Sequence, residues 1–178
     1  LLLYFVASFL AMPLWMKLAI KLGKAQALTI ALGYGALINL ILIPLAEPGN
    51  AVVLWCFTLS FGVAFGAAPT LLRTMMADLT DLDELDSGEK RAGLFFAMLT
   101  TTNKLGAAVA VGLSFTILEA VFAFQPAAEN SEAALQGLLW TYAIGTAAGL
   151  LLAALPVINY PLNRAQHQKI RDQLDARA

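Results

Sequence analysis

Long apolar runs alternate with short polar connections along the whole chain. Five such runs occur, and each approaches or exceeds the roughly 20 apolar residues that a helix needs to cross about 30 Å of hydrocarbon. Backbone polar groups cannot stay unpaired in lipid, and strands of a membrane barrel would alternate in polarity over about ten residues, so the runs predict helices. The predicted transmembrane helices cover approximately residues 1–20, 25–46, 51–75, 92–124 and 135–158.

The predicted fold class is therefore an all-α membrane protein, with a transmembrane helical bundle over residues 1–158. A charged loop is predicted over residues 76–91, and a polar tail over residues 159–178. In the tail, Ile170 and Leu174 lie at helical spacing, which predicts a short surface helix. His167, also in the tail, is expected to be solvated.

The composition supports a membrane protein. Of 178 residues, 60% are hydrophobic and 13% are charged, whereas an average soluble domain is about 25% charged. A soluble fold of this composition would lack the polar surface to cover itself. The net charge of −1 gives no basis for a nucleic-acid partner. One cysteine and one histidine are too few for a zinc site, and no catalytic set is visible, so we expect no metal, no cofactor and no enzyme activity.

Basic residues follow an alternating pattern that predicts the orientation. Apart from Lys104, they occur near the ends of the first and third runs, in the connections that follow these runs and in the tail, whereas the other two connections contain no lysine or arginine. By the positive-inside rule, the basic segments are cytoplasmic, the C-terminus is inside and the chain starts on the far side. An odd number of spans with an outside start predicts at least one further helix upstream. The basic residues in question are Lys17, Lys21, Lys24, Arg73, Lys90, Arg91, Arg164, Lys169, Arg171 and Arg177.

One lysine lies well inside the fourth apolar run. Lys104 is about a dozen residues from the start of that run, and Thr100 and Asn103 share its helical face. An ionisable residue at membrane depth is a functional-site hypothesis by default. We therefore predict a substrate-binding group of Lys104, Thr100 and Asn103, in which the lysine charge could pair with a carboxylate of another helix. The alternative is a lysine that snorkels to the interface or forms a structural ion pair.

The connection after the third run is dense in acidic residues. Six carboxylates occur between Asp78 and Glu89, but their spacing does not match a calcium-binding EF-hand loop. We predict instead a cytoplasmic gate of Asp78, Asp81, Arg73 and Arg91, with further ion pairs to the lysines that follow the first run. Each exposed ion pair is worth about 0–1 kcal/mol. Several together could bias a two-state gate.

These motifs resemble those of the glycoside–pentoside–hexuronide:cation symporters, the melibiose-permease-like branch of the major facilitator superfamily. The resemblance covers nearly the whole chain and rests on the order and spacing of the motifs. The family usually has an aromatic residue where Leu82 stands and a glutamate where Ala92 stands. The matching pieces are Pro13-Leu-Trp-Met-Lys17 to Lys24, Pro69, Met76-Ala-Asp78-Leu-Thr-Asp81-Leu-Asp83-Glu84, Ser87-Gly88 to Gly93, Lys104-Leu-Gly106, and Tyr160-Pro-Leu with Arg164, His167 and Ile170.

The resemblance implies the last five helices of a twelve-helix transporter in the bacterial inner membrane. It places Lys104 at the family's intramembrane lysine and Asp78, Asp81 and Arg91 in its cytoplasmic network. The implied function is cation-coupled symport, with Na⁺ or H⁺, of a sugar or glycoside by alternating access. The main cation site and the N-terminal half would lie outside this chain. A non-transporting transporter-like subunit and a lipid transporter of the same superfamily are the alternatives.

Overall fold

The computed structural model describes residues 1–47 and 50–177, and these form seven α-helices without a strand among them. Five stretches are long and apolar enough to cross a membrane, with the third and fourth helices forming one of them, so the predicted all-α bundle is confirmed. The helices are α1 (Leu2–Leu22), α2 (Lys24–Leu42), α3 (Ala51–Phe65), α4 (Ala67–Ser87), α5 (Ala92–Phe122), α6 (Glu132–Ile158) and α7 (Arg164–Asp175).

Local sequence signals explain several helix ends. Gly23, with φ 104°, separates α1 from α2 in a backbone conformation that other residues rarely adopt. Gly88, with φ 74°, ends α4 in the left-handed conformation typical of a helix C-terminus. The side chains of Asn50 and Ser131 accept hydrogen bonds from the first turns of α3 and α6. A capping box at Asn163 begins α7.

The third predicted span is a helix broken at Gly66, between α3 and α4. Pro69, which has no N–H to donate, lies in the first turn of α4. Helix α3 packs very closely on α1 at Gly62. A Cβ added at this position would lie 2.6 Å from the carbonyl oxygen of Tyr4 in α1. Trp15 of α1 donates its indole N–H to the carbonyl oxygen of Val63 at 2.7 Å. The break is therefore held against α1 by both close packing and a hydrogen bond.

The core lies among α1, α2, α4 and α6, and is built mostly from alanine with a few larger side chains. Small residues let membrane helices approach closely, which replaces the hydrophobic driving force that lipid does not supply. Leu28 and Leu71 are the largest apolar side chains that are almost fully buried. The buried cluster consists of Ala11, Trp15, Ala19, Ala27, Leu28, Ala31, Leu32, Ala67, Leu71, Met75 and Ala154.

Helix α5 differs from the other long helices because it is almost entirely exposed. Leu118 is its one buried residue, and its packing is confined to α6 and α4. Its 31 residues span about 46 Å at ~1.5 Å per residue, which is more than the hydrocarbon thickness. One long face of α5 is thus free of contacts with the rest of the described chain.

The structure corrects the prediction of a loop over residues 76–91. Helix α4 continues to Ser87, and only residues 88–91 connect it to α5. Within the described chain, carboxylates of the acidic segment contact Lys24 of α2 and His167 and Arg171 of α7. The predicted surface helix of the tail is confirmed as α7, with Ile170 buried.

The two kinds of connection lie at opposite ends of the bundle. Contacts among α2, α4 and α7 bring the tail and the basic segments that follow the first and third apolar runs together at one end. The connection after α2 and the first turns of α6, which lack basic residues, line one cavity of about 620 Å³ at the other end. This segregation matches the charge pattern along the sequence.

Candidate functional site

An ionic cluster at the basic end joins three helices. The turn at Gly23 places Lys24 at the start of α2, where its ammonium donates to both carboxylate oxygens of Asp78 at 2.7 Å. The same ammonium lies 3.4 Å from the carbonyl oxygen of Thr74. The side chain of Asp78 is 7% exposed, so this carboxylate depends on the protein for its partners. The pair therefore ties α2 to α4.

The tail helix α7 completes the cluster. The imidazole Nε2 of His167 lies 2.9 Å from a carboxylate oxygen of Asp81 and 3.4 Å from one of Asp78. Arg171, one turn later, lies 3.7 Å from Asp81. The guanidinium of Arg177 donates to the carbonyl oxygen of Leu85 at 2.6 Å. The prediction that His167 is solvated was wrong, because the amphipathic tail helix turns this side chain onto α4.

Tyr160 links the end of α6 to α4. Its hydroxyl donates to the carbonyl oxygen of Met75 at 3.0 Å. Burial, together with the negative charge of Asp78, raises the pKa of Tyr160 to about 12. The phenol is consequently protonated, and able to donate, over the whole physiological range of pH.

The predicted gate residues do not form one cluster. Arg91 pairs with Asp83, with Nη2 2.5 Å and Nε 3.0 Å from its two oxygens, and these hydrogen bonds raise the pKa of the Arg91 guanidinium. This pair spans the short connection between α4 and α5. Arg73 is exposed and makes no ion pair within the described ranges. Asp78 and Asp81 instead take their cations from α2 and α7.

Sequence reasoning named the lysines after the first run as ion-pair partners, but it did not identify the role of the tail. The available signal was the spacing of His167, Ile170, Arg171 and Leu174, which share one helical face. That face, apolar and basic, matches the spacing of Asp78, Asp81 and Leu85 on α4. The sequence does not show that these two helices pack on each other, and this contact is seen only in the structure.

The predicted substrate-binding residues lie together on α5. Lys104 is three residues before the helix midpoint, and Lys104, Asn103 and Thr100 are all exposed. The hydroxyl of Thr100 donates to the carbonyl oxygen of Phe96 at 2.9 Å, within the helix. Lys104 has no ion pair among the residues that the structure describes. Any partner of its ammonium in the membrane must therefore come from beyond these residues or from a ligand.

Comparisons with known proteins place the chain among transporters. The family model described as MFS/sugar transport protein matches residues 1–164. A protein described as an uncharacterized symporter, from Synechocystis sp., is 33% identical over 138 residues. The alignment covers 75% of this chain but 25% of that relative, so the chain spans about a quarter of the length of the curated relative it matches. No solved structure matches the chain.

Proposed function

Because the chain belongs to the MFS/sugar transport protein family, we propose that it forms part of a cation-coupled symporter for a sugar or glycoside. The chain is a multi-pass membrane protein with a transporter role. The coupling ion, Na⁺ or H⁺, and the sugar are the proposed part. The description of the Synechocystis relative as a symporter supports coupling to an ion.

The observation that carries the proposal is that Lys104, on the open face of α5, has no ion pair among the described residues. An ammonium in a bilayer is costly unless it faces a bundle interior or a water-filled cavity and has a partner there. In the described chain the face around Lys104 is uncovered. We propose that a further set of helices covers this face, so that Lys104, Asn103 and Thr100 line a path between two helical halves.

In this proposal Lys104 binds and orients the substrate or neutralises a carboxylate across the path. An ammonium offers three hydrogen-bond donors, and the amide of Asn103 offers both donors and an acceptor. Sugar hydroxyl groups can accept and donate such bonds. If the ammonium of Lys104 changes its partner from a carboxylate to the substrate, occupancy of the site would be linked to the relative position of the two halves.

The cluster at the basic end is proposed to brace the cytoplasmic end of this half of the transporter. It ties α4, the acidic helix, to α2 through Lys24 and to the tail through His167. Exposed ion pairs are individually weak, but Asp78 is buried, so loss of its cation would leave an uncompensated charge inside the protein. The cluster would hold these helices together as one rigid element while the two halves rock. The basic residues at this end support a cytoplasmic location and a cytoplasmic C-terminus.

The test is uptake by the full-length protein in proteoliposomes, with imposed Na⁺ or H⁺ gradients and a panel of sugars and glycosides. We expect one gradient to drive accumulation of at least one member of the panel. Lys104→Ala should abolish the accumulation, and Lys21→Ala, an exposed lysine of α1, should retain it. Uptake that is indifferent to both gradients would contradict cation coupling. Transport of phospholipid analogues in place of sugars would favour a lipid transporter.

A further inference from the structure

A second cavity lies at the basic end of the bundle, between the end of α1, the start of α2, the end of α6 and the start of α7. Its volume is about 430 Å³, within the range of pockets that hold small molecules. We propose that this cavity binds the headgroup of an anionic phospholipid from the adjacent membrane leaflet. The proposal needs only that the chain lies in a membrane, and it does not depend on what the protein transports.

Charge at the cavity favours an anion. Lys24, Arg164 and His167 line it, and Asp78 is its one carboxylate. Lys24 is paired with Asp78 at 2.7 Å, which leaves the positive charge of Arg164 uncompensated at the wall. Arg164 is exposed and has no ion pair among the described residues. A guanidinium can bind a phosphate group through two parallel hydrogen bonds, which suits a phosphodiester headgroup.

Polar groups beside the arginine add donors and acceptors for the rest of a headgroup. The side chains of Gln26, Asn163 and Gln168 line the same cavity. Those of Asn163 and Gln168 also make hydrogen bonds within α7, which fixes their positions. Glycerol and other neutral headgroup parts offer hydroxyl groups to such amides.

The rim of the cavity is apolar, which distinguishes a lipid from a soluble anion. Ile20 and Ile158 are 63% and 61% exposed, at the ends of two membrane-spanning helices, and Leu22 and Leu162 lie beside them. A water-soluble phosphate would gain nothing from these side chains. A phospholipid would place its glycerol and first methylene groups against them and remove apolar surface from water. Basic pockets between helix ends on the cytoplasmic side are suited to anionic lipid headgroups.

The experiment measures lipid binding without transport. Delipidated full-length protein in detergent is titrated with short-chain phosphatidylglycerol, short-chain phosphatidylcholine or glycerol phosphate, and its thermal unfolding temperature is recorded. We expect phosphatidylglycerol to stabilise the protein at about a fivefold lower concentration than phosphatidylcholine, as one additional basic contact implies. Glycerol phosphate, which lacks acyl chains, should have no effect at these concentrations.

Two variants and a control locate the effect. Arg164→Gln should remove the advantage of phosphatidylglycerol, whereas Lys169→Gln, an exposed basic residue of α7 away from the cavity, should retain it. Leu162→Trp, which fills the rim, should weaken stabilisation by both lipids. Equal responses to the two lipids in the wild type, or an Arg164→Gln protein that keeps the advantage, would overturn the site. Stabilisation by glycerol phosphate that depends on Arg164 would assign it to a soluble anion and overturn the lipid.

Discussion

The ammonium of Lys24 lies 2.7 Å from both carboxylate oxygens of Asp78, and this pair joins the first turn of α2 to the acidic half of α4. Asp78 is also 3.4 Å from the imidazole of His167, so one buried carboxylate receives cationic or polar partners from two other helices. These contacts determine how the tail and the helix ends meet at the basic end of the bundle.

Asp78→Asn should destabilise the protein by about 1–3 kcal/mol. The change leaves the ammonium of Lys24 without its counter-charge, and removal of one partner of a buried pair is costly. The expected loss of stability is smaller than for a fully buried ion pair, because Lys24 is 34% exposed and solvent screens its charge. Thermal unfolding of the purified full-length protein measures the effect.

The matched control for this change is Asp86→Asn, because Asp86 is exposed and makes no ion pair in the described chain. It should alter the unfolding temperature little. Combining Asp78→Asn with Lys24→Met should recover part of the loss, since the double variant buries no unpaired charge. Equal effects of Asp78→Asn and Asp86→Asn would show that the buried pair contributes no stability.

Gly62→Ala should destabilise the protein by about 1–3 kcal/mol through overpacking. The new Cβ would lie 2.6 Å from the carbonyl oxygen of Tyr4, and a backbone atom cannot move aside as a flexible side chain can. Gly66→Ala should act similarly, because its Cβ would meet the carbonyl oxygen of Ser8. Gly145→Ala on α6, with no atom near the added Cβ, should be neutral or slightly stabilising.

The comparison among these three glycine variants is made by thermal unfolding in the same detergent. A Gly62→Ala protein as stable as Gly145→Ala would contradict the close approach of α1 and α3. Gly62 lies next to Val63, whose carbonyl oxygen accepts the hydrogen bond from the indole of Trp15. The loss of stability in Gly62→Ala should therefore be accompanied by greater solvent accessibility of Trp15. Quenching of tryptophan fluorescence, compared between the Gly62→Ala and Gly145→Ala proteins, would report that change.

Tyr160→Phe should cost about 1 kcal/mol, because it removes the hydrogen bond to the carbonyl of Met75. The pH dependence of the cost has a definite sign. The folded-state pKa of about 12 lies above the ordinary value of 10, so folding favours the neutral phenol. The stabilisation is fully present below pH 10 and is lost as the pH rises through 12.

The measurement for Tyr160 is the difference in unfolding temperature between wild type and Tyr160→Phe as a function of pH. The other ionisable groups are common to both proteins, so their contributions cancel in the difference. We expect a constant difference up to about pH 10 and a decline above it. A difference that grows above pH 10 would contradict the assigned direction.

The membrane-spanning architecture was predictable because hydrophobic length and the distribution of lysine and arginine report on the bilayer itself. The five spans and the all-α class follow from that physics, and the tail helix follows from the helical spacing of its apolar residues. The extent of α4 was missed because the density of charge was interpreted as a solvated loop, whereas the structure packs this segment against α2 and α7. For the same reason the position of His167 was missed: local sequence marks an amphipathic tail, but not the helix on which it packs.

The candidate site likewise has a part that the sequence predicts and a part that only the structure shows. That Lys104, Thr100 and Asn103 share a face follows from helical spacing alone, and the structure places them on one exposed side of α5. The pairing within the predicted gate depends on tertiary packing, so the sequence could not show that Arg91 pairs with Asp83 while Asp78 and Asp81 contact α2 and α7.

The central claim is that the ammonium of Lys104 faces an aqueous path rather than lipid. The most direct test replaces Lys104 with cysteine (Lys104→Cys) in full-length protein that has no other cysteine, with Cys56→Ser among the changes. The account predicts reaction with a hydrophilic, membrane-impermeant thiol reagent, and slower reaction when a transported sugar is present. Resistance to that reagent together with rapid reaction with a lipid-soluble one would contradict the account.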